Sequence, residues 1–83
     1  MFGQNRADRR AARERAALGT AGEYVLACLA DDQRRIEEAV SRLDPFALNA
    51  ALLSISQGAV AALARERGAS PDAVIASLIA DLS

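Results

Sequence analysis

The chain has 83 residues, of which 52% are hydrophobic and 25% charged, and its formal net charge is −1. These values exclude a multidomain protein and a wholly disordered chain. A core built from so few residues is marginal, and small proteins commonly gain further buried surface by oligomerising.

The N-terminal region is basic although the chain as a whole is weakly acidic. Residues 1–19 contain five Arg against Asp8 and Glu14. A basic arm on an acidic body is typical of proteins that contact a polyanion, but a solvated arm that aids solubility has the same pattern. We therefore divide the sequence into a basic arm, residues 1–19, and a helical core domain, residues 20–83.

The first predicted helix runs from about Arg6 to Leu18 and ends at Gly19, a residue typical of helix C-termini. Its apolar face is nearly all Ala, so we expect weak packing and a mobile arm. A helix would place four Arg on one stripe, and these are the candidate polyanion-binding residues: Arg6, Arg9, Arg10 and Arg13.

The second predicted helix covers residues 20–43. Thr20 and Glu23 have the spacing of a capping box, in which both side chains bind free backbone donors. One apolar stripe then continues to Leu43, with a break expected at Asp31-Asp32. The opposite face carries charges of alternating sign that can pair along the surface.

The third predicted helix follows Asp44-Pro45, continues to about Arg67 and is closed by Gly68. Its 19 residues from Phe46 to Ala64 carry no charge, so its surface needs covering by the chain itself, a second copy, a partner or lipid. Polar residues near its middle argue against a membrane span. We expect the helix to lie buried in a bundle, with Asn49 and Ser56 partly buried.

One side of this third helix consists of small residues. Ala50, Ser54, Gly58 and Ala62 repeat at intervals of four, and such a ladder permits another backbone to approach closely. The Gly costs about 1 kcal/mol in helix propensity, which a tight contact would offset. These four residues are the predicted self-association face.

The fourth predicted helix, about Pro71 to Leu82, begins with a second cap-plus-Pro signal at Ser70. The sequence therefore predicts an all-α fold. We expect a small bundle of about four helices, with an antiparallel hairpin of the second and third helices and the fourth packed on the large-residue face of the third. Homodimerisation would complete the bundle.

The residue types favour a protein that is not an enzyme. The chain has no His, which removes the commonest general base and metal ligand. Cys28 is the only cysteine, and its apolar neighbours predict a small buried side chain. We expect no catalytic residues, no metal and no cofactor.

Two interpretations of function stay open. The first is a small adaptor, regulator or assembly factor of a bacterium or phage, working in the cytoplasm through self-association and partner binding. The alternative is a nucleic-acid-associated regulator that uses the Arg-rich arm on a dimeric scaffold, with weak and non-specific binding. A helix-turn-helix is disfavoured because the fourth helix offers acidic side chains but no Arg, Lys, Asn or Gln.

Overall fold

The computed structural model describes residues 2–83, with side chains from residue 5 onward. These residues form four α-helices and no strand: α1 (Phe2–Leu29), α2 (Gln33–Arg42), α3 (Pro45–Arg67) and α4 (Pro71–Leu82). The all-α prediction is therefore confirmed. The boundaries agree with the sequence prediction at α3 and α4, and they differ at α1.

Helix α1 continues through the position where the sequence predicted one helix to end and another to begin. The C-terminal stop at Gly19 and the capping box at Thr20 are therefore wrong. The positive backbone φ angles in the described chain belong to Asp31 and Gly68, so Gly19 does not adopt the left-handed conformation of a helix stop. Good helix formers precede it, and the helix continues through Thr20 and Gly22 because Ala21 and Ala27 are fully buried by packing.

The single helix predicted over residues 20–43 is wrong, because the chain breaks at Asp31-Asp32, where the sequence suggested an interruption, and this separates α1 from α2. Asp31 has a φ of 54°, and the backbone N–H groups of Asp31 and Asp32 donate to the carbonyls of Cys28 and Ala27. This is a Schellman motif with Asp in the left-handed position that Gly usually takes. The Asp32 side chain then accepts from the Arg35 N–H at 3.2 Å and caps α2.

Both predicted cap-plus-Pro signals begin helices. Asp44 accepts a hydrogen bond from the Ala47 N–H at 3.0 Å, and Ser70 accepts one from the Ala73 N–H at 3.1 Å. Helix α3 ends where Gly68 adopts a φ of 63°, and Ala69 N–H donates to the Ala64 carbonyl. These interactions satisfy backbone groups that a helix end would otherwise leave free.

Three pairs of helices pack closely: α1 with α2, α1 with α3, and α3 with α4. Helix α2 thus has α1 as its main partner, and these contacts do not establish the predicted hairpin of the second and third helices. The buried side chains are small, and the largest of them is Val74 on α4. The others are all Ala: Ala21, Ala27, Ala39, Ala51 and Ala64.

The four helices form an open, flat arrangement with principal extents of 46 × 34 × 19 Å. The radius of gyration is 15.7 Å, whereas a compact domain of this length has about 12 Å. The accessible surface is 6567 Å², against about 4,700 Å² for a typical folded monomer of this mass. A single chain therefore leaves exposed much surface that a compact domain would bury.

Candidate self-association surface

Helix α3, the uncharged helix, is poorly covered by its own chain. Its buried residues are Ala51 and Ala64, whereas Phe46 is 83% exposed and Leu53 is 57% exposed. The expectation that this helix is buried within its own bundle is therefore wrong for one chain. The reason is the packing order: α1 contacts α3 and α4 contacts α3, but neither encloses it.

Helix α3 is also long and apolar enough to cross a membrane, by length and composition alone. An 18-residue window in it has a mean hydropathy of 1.6, and 6% of that window is buried in the chain. Core helices of soluble proteins meet the same criterion of length and composition. Asn49 and Ser56, which the sequence predicted to be partly buried, are both exposed. The Ser56 hydroxyl donates to the Leu52 carbonyl at 2.8 Å, which satisfies it without a partner across an interface.

The predicted self-association face lies open on the surface of α3. Ala50, Ser54, Gly58 and Ala62 are all exposed. The Ser54 hydroxyl donates to the Ala50 carbonyl at 3.2 Å, so this polar group is satisfied within the helix. A Cβ added at Gly58 would meet no atom within 4 Å. Nothing in the described chain therefore makes the close contact that would offset the cost of this Gly.

A cleft of about 520 Å³ separates the first half of α3 from the first half of α1. Its apolar lining includes Ala17 and Leu18 of α1 and Ala47 of α3. Ala50 and Ser54 also line it, so part of the self-association face forms one wall of the cleft. Arg10, Arg13 and Glu14 contribute the charged groups, which makes the cleft apolar inside and net positive.

A second groove, of about 390 Å³, lies between α3 and α4. Leu53 and Val60 of α3 line it together with Pro71 and Ile75 of α4, and its surface is almost wholly apolar. Helix α4 uses Val74, which is 1% exposed, to pack against α3. Next to Val74 around the helix, Ile75, Ile79 and Leu82 are exposed by 43%, 60% and 87%.

The four candidate polyanion-binding residues lie on one continuous helix, and all four are exposed. Steps of three and four residues place Arg6, Arg9, Arg10 and Arg13 on one side of α1. Among the described side chains, ion pairs join Arg42 to Glu23 and Arg34 to Glu38, so neither involves this stretch. Its charge therefore faces solvent and, at Arg10 and Arg13, the cleft.

Cys28 lies on the surface of α1, and the sequence prediction of a buried side chain is wrong. The apolar neighbours that suggested burial, Leu26 and Leu29, are themselves exposed by 57% and 78%. Among the side chains from residue 5 onward, no three His, Cys, Asp or Glu lie close enough together to hold a metal ion.

Sequence reasoning identified the small-residue ladder and the Arg stripe, but it missed the cleft between them. The cleft exists because α1 continues past Gly19 and brings residues 10–18 alongside α3. A wheel drawn for residues 6–29 as one helix would have shown that Leu18, Val25 and Leu29 share one side. No family model matches the chain, and neither a curated protein nor a solved structure matches it.

Proposed function

We propose that this chain is a non-enzymatic helical interaction protein, an adaptor, regulator or assembly factor of the cytoplasm, that works as a homodimer. The observation that carries the proposal is the uncovered surface of α3. Large apolar side chains and a ladder of small residues both lie exposed on a helix without a charge from Phe46 to Ala64. Exposed apolar surface of this kind marks interaction sites in soluble proteins.

The surface area supports self-association in particular. The chain exposes about 1,800 Å² more than a typical monomer of its mass. Obligate homodimers bury roughly 1,000–2,500 Å² per partner, so one further copy is enough to cover the excess. The small-residue ladder supplies a place where two α3 helices can cross at short distance. This completes the bundle that the sequence predicted, with α3 of each copy at its centre.

The test of this dimer is Gly58→Leu, measured by light scattering after size exclusion. We expect the wild type to have the mass of a dimer and the variant to shift toward the monomer, because the new side chain fills the space where the partner's backbone approaches. The helix of the single chain should tolerate the change, since Leu has the better helix propensity. A variant that keeps the wild-type mass and thermal stability would contradict this interface.

Ala59→Leu is the matched control. It adds a Leu to the same helix one residue further along, which is about 100° around the axis, and Ala59 is exposed as well. We expect Ala59→Leu to disturb the dimer much less than Gly58→Leu does. Equal effects of the two variants would mean that dimerisation does not use the ladder.

A second candidate function is favoured by the exposed Arg stripe. A nucleic-acid-associated regulator would use Arg6, Arg9, Arg10 and Arg13 to neutralise about three or four phosphates, without aromatic side chains among them to stack on bases. Fluorescence anisotropy with a labelled 20-base-pair duplex tests it. Binding at 50 mM salt that is lost by 200 mM, and that disappears on Arg6→Ala/Arg9→Ala, would support this function. No binding at low salt would remove it.

A further inference from the structure

We propose that the cleft between α1 and α3 receives α4 of a second copy, so that two chains exchange α4 contacts around a two-fold axis. This inference rests on the proposed function, because it takes self-association as given. It adds the identity of the contacting surfaces: the net-positive cleft of one copy and the acidic, outward-facing side of α4 of the other.

The cleft has the chemistry of a site for an amphipathic helix with acidic flanks. Its lining is apolar, with Ala17 and Leu18 on the α1 side and Ala47 on the α3 side. Two guanidinium groups against one carboxylate give its rim a net positive charge, and further Arg side chains precede them on α1. A ligand that fits this cleft presents apolar side chains to the lining and negative charge to the rim.

Helix α4 has the complementary chemistry. Its exposed apolar side consists of Ile75, Ile79 and Leu82, and its charged residues, Asp72 and Asp81, are both acidic. Asp72 precedes Ile79 by seven residues, close to two full turns, so the two lie on the same side of the helix. Helix α4 therefore offers an apolar stripe with a carboxylate on it, without any basic group that the cleft would repel.

The placement of these surfaces along α3 suits a two-fold axis. Residues 47–54 of α3 line the cleft, and residues 53–61, nearer the end of α3, line the groove beside α4. When two α3 helices cross in antiparallel orientation near their midpoints, the first half of each lies beside the second half of the other. Ser54 and Gly58 lie near that midpoint, where small side chains permit the crossing. Each α4 then lies beside the partner's cleft, as an isologous dimer requires.

The experiment uses two full-length variants that each carry a like-charge clash. In the first, Arg10→Glu/Arg13→Glu, an acidic cleft meets the acidic α4. In the second, Asp72→Arg, a basic side chain on the apolar stripe of α4 meets the basic cleft. We expect the dimer dissociation constant of each variant to rise about tenfold or more, because like charges brought together at an interface oppose association. Circular dichroism establishes that each variant keeps the wild-type helical content.

A mixture of the two variants provides the decisive measurement. In a heterodimer both contacts become complementary: the acidic cleft of the first variant meets the basic side chain on α4 of the second, and the basic cleft meets the acidic α4. Native mass spectrometry distinguishes the species by mass. We expect the 1:1 heterodimer to predominate over both homodimers. If the heterodimer is no more abundant than random pairing gives, the exchange of α4 is wrong.

The control pairs Asp72→Arg with Arg34→Glu/Arg35→Glu. The latter makes the same change of charge on the exposed surface of α2, away from the cleft. No preference for the heterodimer is expected from this pair. A preference equal to that of the cleft pair would show that net charge alone selects the partner, which would overturn the assigned contact.

Disulfide trapping tests the same contact without reversing any charge. In a Cys28→Ala background, chains with Ala17→Cys are mixed with chains with Ile79→Cys and oxidised. We expect a 17–79 disulfide between chains, located by peptide mass mapping, and none when Ser41→Cys on α2 replaces Ala17→Cys. A wild-type protein that is monomeric at 100 µM would refute the proposed function itself. A wild-type dimer without the 17–79 bond would refute the exchange of α4 alone.

Discussion

Helices α1 and α2 expose most of the charged side chains of the chain, whereas α3 and α4 expose large apolar side chains and few charges. Leu26 and Leu29 at the end of α1 are apolar and exposed as well. The first 42 residues hold eight of the ten Arg and seven of the eleven acidic residues. In the second half, Phe46, Leu53, Ile79 and Leu82 are all more than half exposed. A charged outer surface is stable in water, but an apolar one on a folded chain indicates that something else covers it. This difference supports the proposed interface on α3 and α4, to which the cleft residues of α1 contribute.

The two halves also differ in whether a Pro marks the start of each helix. Helices α3 and α4 begin with a side-chain cap followed by Pro, and α3 ends at a Gly with a positive φ. Helix α1 passes through a Gly and a Thr-x-x-Glu sequence that resemble the same signals. Pro fixes the backbone at the helix start and has no N–H to satisfy, so it marks a boundary that packing does not override. A helix can continue through a capping residue that is not followed by Pro, as α1 does through Thr20.

The largest effect is expected from Val74→Asp, which replaces the largest fully buried side chain among the described residues with a carboxylate. A carboxylate placed there has no partner, and burying an unpaired charge costs about 3 kcal/mol or more. We expect α4 to detach from α3, with loss of helical circular dichroism, a lower unfolding midpoint in urea and a loss of dimer. Ala73→Asp, one residue earlier at an exposed position, is the control and should be nearly silent. Equal behaviour of the two variants would mean that α4 is not anchored by Val74.

The next test compares two glycines. Gly68→Ala forces a side chain into the left-handed region at φ 63°, and we expect a loss of about 1 kcal/mol in the free energy of unfolding. Gly19→Ala should instead stabilise by about 0.5–1 kcal/mol, because Gly19 lies inside α1 with no atom within 4 Å of the new Cβ. Urea denaturation of both variants measures the difference. A destabilising Gly19→Ala would restore the helix end that the sequence predicted at that position.

The sequence predictions succeeded where a helix boundary depends on residues next to it in the chain, and they failed where it depends on packing against another helix. Asp44, Ser70 and Gly68 act through hydrogen bonds and backbone angles within a few residues, so the sequence alone located both ends of α3 and the start of α4. The burial of Ala21 and Ala27 depends on where α2 and α3 pack. That information is absent from any window of sequence, and for this reason α1 was predicted as two helices.

The candidate site divides in the same way. The ladder of Ala50, Ser54, Gly58 and Ala62 and the Arg stripe follow from helical periodicity alone, and both were predicted. The cleft depends on two helices that are far apart in sequence, Arg10 to Leu18 of α1 and Ala47 to Ser54 of α3. The exposure of Cys28 also depends on packing, since Ala27 is the buried residue of this stretch while Leu26 and Leu29 are uncovered in the single chain.

A smaller effect is expected from removing capping side chains. It distinguishes Asp44, which caps α3, from Thr20, which has the sequence pattern of a cap but lies inside α1. Asp44→Ala deletes the acceptor for the Ala47 N–H, and we expect a loss of about 1 kcal/mol in the free energy of unfolding. Thr20→Ala should cost nothing or stabilise slightly, because Thr20 lies inside α1, where Ala is the better helix former. Thermal and urea denaturation measure both. A cost at Thr20 similar to that at Asp44 would argue that α1 does begin anew there.

The smallest effect concerns the ion pair that joins α1 to α2 among the described side chains. Arg42 of α2 donates to Glu23 of α1 at 3.0 Å, and both side chains are more than half exposed. Water and salt screen such a pair, so a double-mutant cycle of Glu23→Gln and Arg42→Gln should give a coupling of only about 0.2–0.5 kcal/mol, decreasing in 1 M salt. A coupling above 1 kcal/mol that persists in salt would mean that the pair is desolvated in the dimer. The contact between α1 and α2 would then belong to the interface too, in addition to the cleft residues of α1.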